Sequence, residues 1–172
     1  MRKTICCILL STSICAQAGD KRGEKQPDPP KGWDIPPAPV LSPTDAVKSF
    51  RLAPGFKLEL VAAEPLVEDP VAMAFDGNGR VWVVEMRSYM PNVDGTGEDA
   101  RTGVIAVLED TNGDGRMDKR SEFADDLQLP RAIAIHKSGA LFIEPPYLRW
   151  FGDSDGDLQW DQDAVVSYGF GG

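Results

Sequence analysis

Three features of the sequence predict an all-β fold, an incomplete β-propeller of about two four-stranded blades plus a ring-closing strand. Apolar residues alternate with period two from Phe56 onward, glycine- and aspartate-rich turns separate the apolar runs, and the four-strand pattern occurs twice. A β-sandwich would also supply short strands, but it would not repeat motif for motif.

Ahead of the strands, residues 1–18 read as a secretory signal peptide. Arg2 and Lys3 precede an apolar stretch from Ile5 to Ile14, and Ala16-Gln17-Ala18 gives the small residues of a cleavage site. The stretch is too short to span a bilayer as a permanent helix. Cleavage after Ala18 leaves a secreted or periplasmic chain. Cys15 offers a rival reading as a lipidated cysteine, against which Ile14 stands where a small residue is usual. Cys6, Cys7 and Cys15 all lie in or beside this segment, so the mature chain has no disulfide to hold it together. Residues 19–43 form a proline-rich linker, with prolines from Pro27 to Pro43 and Trp33 as an isolated aromatic expected to dock on the domain. A short helix follows, with Ser42 as N-cap and Pro43 in its first position, ending near Phe50.

Residues 44–172 are read as the N-terminal fragment of the propeller, with blades at about 70–126 and 130–169. Phe56, Leu58 and Leu60 share one face of a half-buried strand, which a closed ring would pair into its last blade as the outer strand. Val71 to Phe75 and Arg80 to Met86 flank Asp76-Gly77-Asn78-Gly79, the chemistry of a tight hairpin. Val104 to Leu108 and Arg120 to Phe123 complete the first blade. The segment from Pro70 to Val83 then recurs from Pro130 to Ile143, 60 residues on, and the loop from Asp110 recurs from Asp153, 43 residues on. The difference places an insertion of 17 residues within Arg87 to Gly103. Two blades cannot close a ring, which needs four to eight. The 172 residues are therefore expected to be part of a longer propeller.

The net charge of −9, without clustered Lys or Arg, argues against a nucleic-acid partner. Divalent cations suit it better. The loop Asp110-Thr-Asn112-Gly-Asp114-Gly-Arg116-Met-Asp118 has oxygen side chains at the first, third, fifth and ninth positions of a calcium loop. Glycine occupies the sixth position, and the seventh, Arg116, offers a carbonyl. Ser121 stands where a bidentate glutamate is usual, so modest affinity is expected. The alternative is an Asx-rich turn without metal. The second loop holds Asp153, Asp155, Asp157 and Asp161 in register, but Leu158 replaces the glycine and resists a positive φ. Metal and bare turn are both open there.

His136, the only histidine, reads as a solvated turn residue rather than a base. No Ser/His/Asp set and no Cys-x-x-Cys-His haem site can be assembled from the mature sequence. Glu85 and Arg87 are candidate ligand-binding residues, because the second strand delivers them into the long insertion. A surface ion pair is the plainer alternative.

The run from Phe56 to Arg87, with Phe-Lys-Leu-Glu-Leu and Asp-Gly-Asn-Gly-Arg-Val-Trp-Val-Val-Glu-Met-Arg, followed by Leu-Glu-Asp-Thr-Asn-Gly-Asp-Gly-Arg-Met-Asp-Lys, resembles the opening of large secreted proteins of planctomycete and verrucomicrobial type. Those proteins carry the label membrane-bound dehydrogenase. Their propeller is similar to that of soluble quinoprotein glucose and L-sorbosone dehydrogenases, and many continue into helical repeats and a cytochrome c domain. The resemblance covers about residues 42–172. It implies a full-length parent that oxidises a sugar or alcohol with pyrroloquinoline quinone (PQQ) and calcium, and it places no catalytic residue here, since those of the sugar dehydrogenases come from later blades. The partners it implies are the missing blades and a cytochrome c domain. A noncatalytic carbohydrate- or protein-binding module is the alternative.

Overall fold

The computed structural model describes residues 30–34 and 37–170. The signal-peptide reading and the three cysteines lie outside the described residues. The described chain is one helix followed by eight strands in two antiparallel sheets. The helix α1, Pro43–Ser49, starts as expected, with Ser42 accepting the Asp45 N–H at its cap. No helix among the described residues is long and apolar enough to cross a membrane.

The first sheet is β1 (Pro70–Phe75), β2 (Val81–Glu85), β3 (Gly103–Glu109) and β4 (Lys119–Leu127), in that spatial order. The second is β5 (Arg131–His136), β6 (Gly139–Glu144), β7 (Tyr147–Gly152) and β8 (Gln162–Tyr168), also in sequence order. Each is a meander, as short links between successive strands require. Residues 86–102 join β2 to β3, whereas Pro145 and Pro146 alone join β6 to β7.

One face of the first sheet packs on the second. Trp82, Val84, Ile105, Val107 and Phe123 meet Ala140, Phe142 and Phe151 in one shared core. Trp82 and Phe123 touch edge to face at 4.6 Å, and Phe142 and Phe151 at 4.9 Å, the arrangement favoured by ring quadrupoles. The opposite face of the first sheet, with Val81, Val83, Ala106 and Leu108, is covered by Ala62, Leu66, Val67 and Met117.

The hairpin turns differ by one residue. In the first, Asp76 and Arg80 close a three-residue turn with Gly79 at φ 81°, while in the second His136 pairs directly with Gly139 across Lys137 and Ser138. No side chain fits at Gly139, where a Cβ would meet the Phe151 carbonyl oxygen and the Gly152 Cα. The shorter turn shifts the register expected from sequence. Val81 corresponds to Ala140 rather than to Leu141, because Val81 pairs with Leu108 and Ala140 with Phe151. The inner strands and the aspartate loops keep the expected offsets.

Two other expectations are corrected. The segment Phe56 to Val61 is not in a sheet, and Phe56 is 75% exposed. A strand exists only within a hydrogen-bonded ladder, and among the described residues the Met117 N–H to Val61 carbonyl bond at its end is not continued into one. Trp33 does not dock on the domain and is 71% exposed. One indole flanked by prolines does not offset the entropy of fixing the backbone beside it.

Candidate functional site

Two kinds of polar constellation sit at opposite ends of the sheets. The aspartate loops join β3 to β4 and β7 to β8, at the end carrying the β1–β2 and β5–β6 turns. The buried glutamates Glu85 and Glu144 lie at the other end.

In the first loop Asp110 accepts N–H bonds from Gly113 at 2.7 Å and Gly115 at 2.8 Å. Asn112 accepts the Asp114 N–H at 2.9 Å, and Asp114 accepts the Arg116 N–H at 2.8 Å. The second loop repeats this. Asp153 accepts from Gly156 at 2.6 Å and Leu158 at 2.9 Å, and Asp157 from Gln159 at 2.8 Å. These are nested Asx turns, the local chemistry expected of aspartates spaced by two. The ninth residue plays a different part. Asp118 accepts from the Thr111 N–H and hydroxyl, and Asp161 likewise from Ser154, so each closes its loop.

One oxygen from each of Asp153, Asp155 and Asp157 lies within 4.8 Å of the other two, a hard-oxygen cluster of the kind that suits calcium. Among the described residues this is the only such group of three. The first loop puts an amide, Asn112, at the corresponding place. Leu158 does adopt the strained turn, at φ 66°, and buries its side chain in the core between the sheets.

The first carboxylate of each loop, Asp153 and Asp110, and Asp76 in the first hairpin turn ionise more readily than usual. For Asp153 burial opposes ionisation, but the N–H groups of Gly156, Leu158, Asp155 and Asp157 outweigh it. Asp110 is lowered chiefly by the Gly115 N–H, and Asp76 is lowered, against burial, by the Trp82 indole, the Arg80 guanidinium and backbone donors. A carboxyl with a depressed folded pKa contributes stability that is complete above its unfolded pKa and is lost as pH falls through the folded value. In chelator, the urea midpoint is therefore expected to fall as pH drops below about 4. Asp153→Asn should show a shallower fall, and an equal slope in both proteins would contradict this origin.

At the other end Glu85 is fully buried, and is not a surface ion pair. Its carboxylate accepts from the Glu68 N–H at 3.1 Å, from Arg87 at 2.6 Å and from Arg120 at 3.0 Å. Glu144 repeats the device, accepting from the Gln128 N–H at 2.9 Å, from Arg149 at 2.6 Å and from Arg101 at 3.0 Å. Arg101 precedes β3, so its ion pair crosses from one sheet to the other. Sequence reasoning found Glu85 and Arg87 but missed Glu68, Arg101, Arg120, Glu144 and Arg149. The signal was a glutamate ending the second strand of each unit. A fixed offset through the unequal turns hid it by setting Glu85 against Pro145. His136 ends β5, exposed, with its carbonyl accepting from the Trp150 indole.

A family model described as "Domain of unknown function (DUF7133)" matches residues 42–172. No curated protein and no solved structure matches the chain. The match begins at the N-cap of α1 and takes in both sheets and both glutamate clusters. The chain belongs to the DUF7133 family.

Proposed function

We propose that residues 42–172 form the opening blades of an exported β-propeller, held together by calcium, that is part of a quinone-dependent sugar or alcohol dehydrogenase and is inactive by itself. One repeated backbone bond carries the propeller reading. The eighth residue of each aspartate loop donates its N–H to the chain that precedes its sheet: Trp160 to the Phe123 carbonyl in β4 at 3.1 Å, and Met117 to the Val61 carbonyl at 2.9 Å. The segment ending at Val61 thus stands to the first sheet as β4 stands to the second. Sheets that repeat the same relation to their predecessor are the unit of a propeller. The far face of the second sheet supports this, since Leu141 and Trp150 stand there in partly open positions equivalent to the covered Trp82 and Val107. Phe56 to Val61 then becomes the outer strand of a further blade.

The aspartate loops supply hard oxygen ligands for calcium: Asp153, Asp155 and Asp157 in the second, and Asp110, Asn112, Asp114 and the Arg116 carbonyl in the first. Asp118 and Asp161 act as loop closers. Millimolar calcium with a Kd of about 10⁻⁴ M adds about 1–1.5 kcal/mol if it binds only the folded chain. Calorimetric titration should show heat that Asp155→Ala and Asp114→Ala each reduce. Equal heats and equal melting temperatures in all three proteins would make both loops bare polar turns.

PQQ does not fit this chain. A quinone bearing several carboxylates needs converging cations, and the arginines of the cleft at Glu144, Arg101 and Arg149, are already paired with Glu144, Asp126 and Asp163. The dehydrogenase reading rests on the family resemblance, with further blades and a cytochrome c domain as partners. Its test is dye-linked oxidation of glucose with added PQQ and calcium. No turnover is expected from the 172-residue chain, and turnover from a polypeptide that includes the further blades. Turnover by the short chain, or none by the long one, would overturn the reading.

A further inference from the structure

The chain has three asparagines, and two of them, Asn78 and Asn112, precede a glycine in an exposed turn. Glycine has no side chain to shield its nitrogen, which lets that nitrogen reach the side-chain carbonyl carbon of the residue before it. By sequence and by exposure the two pairs are equals, and hydrogen bonding separates them. We propose that Asn78 is a site of spontaneous deamidation, and that the first aspartate loop protects Asn112 from the same reaction.

In the reaction the Gly79 nitrogen loses its proton and bonds to Cγ of Asn78, and the side-chain nitrogen leaves as ammonia. Water then opens the cyclic imide at either carbonyl and leaves aspartate or isoaspartate. The groups that must move are loosely held at Asn78. Its side-chain amide makes no hydrogen bond among the described residues, and only its backbone N–H is fixed, by Asp76 at 2.9 Å. The Gly79 N–H donates to the Asp76 carbonyl at 3.2 Å, the long end of the usual range. Nothing lies within 4 Å of where a Cβ would stand on Gly79, so no neighbour crowds the nitrogen. At Asn112 the same groups are all engaged. The departing Nδ2 donates to Asp118 at 3.0 Å, Oδ1 accepts the Asp114 N–H at 2.9 Å, and the attacking Gly113 N–H is held by the Asp110 carboxylate at 2.7 Å. A hydrogen bond to a charged group is among the strongest available, and this one must break before the nitrogen can react. The third asparagine, Asn92, is held by the Thr96 carbonyl at 3.1 Å and precedes Val93, whose branched side chain crowds the next nitrogen. Conversion at 78 puts a new carboxylate two residues from Asp76, which also holds the Trp82 indole at 3.0 Å. The isoaspartyl product adds a backbone carbon to the turn that Asp76 and Arg80 close.

The test is incubation of the full chain in chelator at mildly alkaline pH, with peptide mass mapping over time. The peptide carrying residue 78 is expected to gain the mass of amide-to-acid conversion at least about tenfold faster than the peptide carrying residue 112, the factor set by one charged hydrogen bond that must break first. In urea the two should convert at similar rates, because the protection lies in the fold. Asn78→Gln should end the gain in its peptide, since the longer side chain does not close the same ring. Asp110→Ala releases the Gly113 N–H and should speed conversion at 112 while leaving 78 unchanged. The comparison of the unsubstituted chain with and without urea keeps the test open if that variant fails to fold. Equal rates at 78 and 112 in the folded chain, faster conversion at 112, no gain at 78, a preference for 78 that persists in urea, or a folded Asp110→Ala variant with unchanged conversion at 112 would overturn the proposal.

Discussion

Replacing Glu85 with alanine is expected to lower the stability of the chain by about 3–5 kcal/mol, the range seen when one partner of a buried ion pair is removed. The carboxylate is fully buried and has three sources of hydrogen bonds, Arg87 two residues on and the more distant Glu68 N–H and Arg120. Glu68 precedes β1, Arg87 follows β2 and Arg120 sits in β4, so Glu85 ties three strands of the first sheet to one point. Its removal leaves two guanidiniums facing each other in a partly buried site, and the Arg120 Nη1 already has no partner. Glu85→Gln keeps the shape without the charge and should fall between alanine and wild type. Glu122 also meets Arg120, at 3.2 Å, but its side chain is 54% exposed. Glu122→Gln is expected to cost less than about 1 kcal/mol. Equilibrium urea unfolding of the three variants checks this, and alanine at 85 no more damaging than glutamine at 122 would refute it.

Leu158→Ala is expected to cost about 2–5 kcal/mol, and Leu158→Gly about 1 kcal/mol less than that, reversing the usual order of these two substitutions. Two opposed terms meet at this residue. Its backbone is left-handed, at φ 66°, which costs a residue with a Cβ roughly 1–2 kcal/mol. Its side chain is 8% exposed and packs with Phe142 and Phe151 in the core shared by the sheets. Alanine loses the packing and keeps the strain, while glycine loses the packing and releases the strain. The leucine is tolerated because burial of a full side chain, about 1.5–3 kcal/mol, exceeds the strain. The same loop is fixed to the first sheet by the Trp160 N–H, with the Trp160 ring stacked on Phe151 at 4.3 Å. Thermal unfolding of the two variants decides the order. A glycine variant less stable than the alanine one would show that backbone freedom, rather than strain, dominates at 158.

Much of the architecture was legible because it is encoded locally. Period-two alternation marked the strands, Asp-Gly-Asn-Gly marked the first hairpin, and Ser42-Pro43 marked the helix start. The aspartate loops were legible for the same reason, since an Asx turn is made by a side chain and its own near backbone. The loop-closing bonds of the ninth aspartates, Asp118 to Thr111 and Asp161 to Ser154, were not legible, because spacing reveals neither which hydroxyl nor which N–H a carboxylate will meet. The extra strand was recognisable by its alternation but stays unpaired here, since a ladder needs a second chain segment that no local pattern can supply.

What the sequence determined by itself was the all-β character, the order of the strands, the two loops and their repetition. Each depends on interactions within a few residues or on a pattern that recurs along the chain. Only the tertiary structure decided that Leu158 turns left-handed, that Glu85 is buried rather than at the surface, and that Glu144 is its counterpart. Those outcomes depend on balances between a local cost and a distant partner: strain against a core supplied by the other sheet, and desolvation against arginines 35 residues away in one case and from the other sheet in the other.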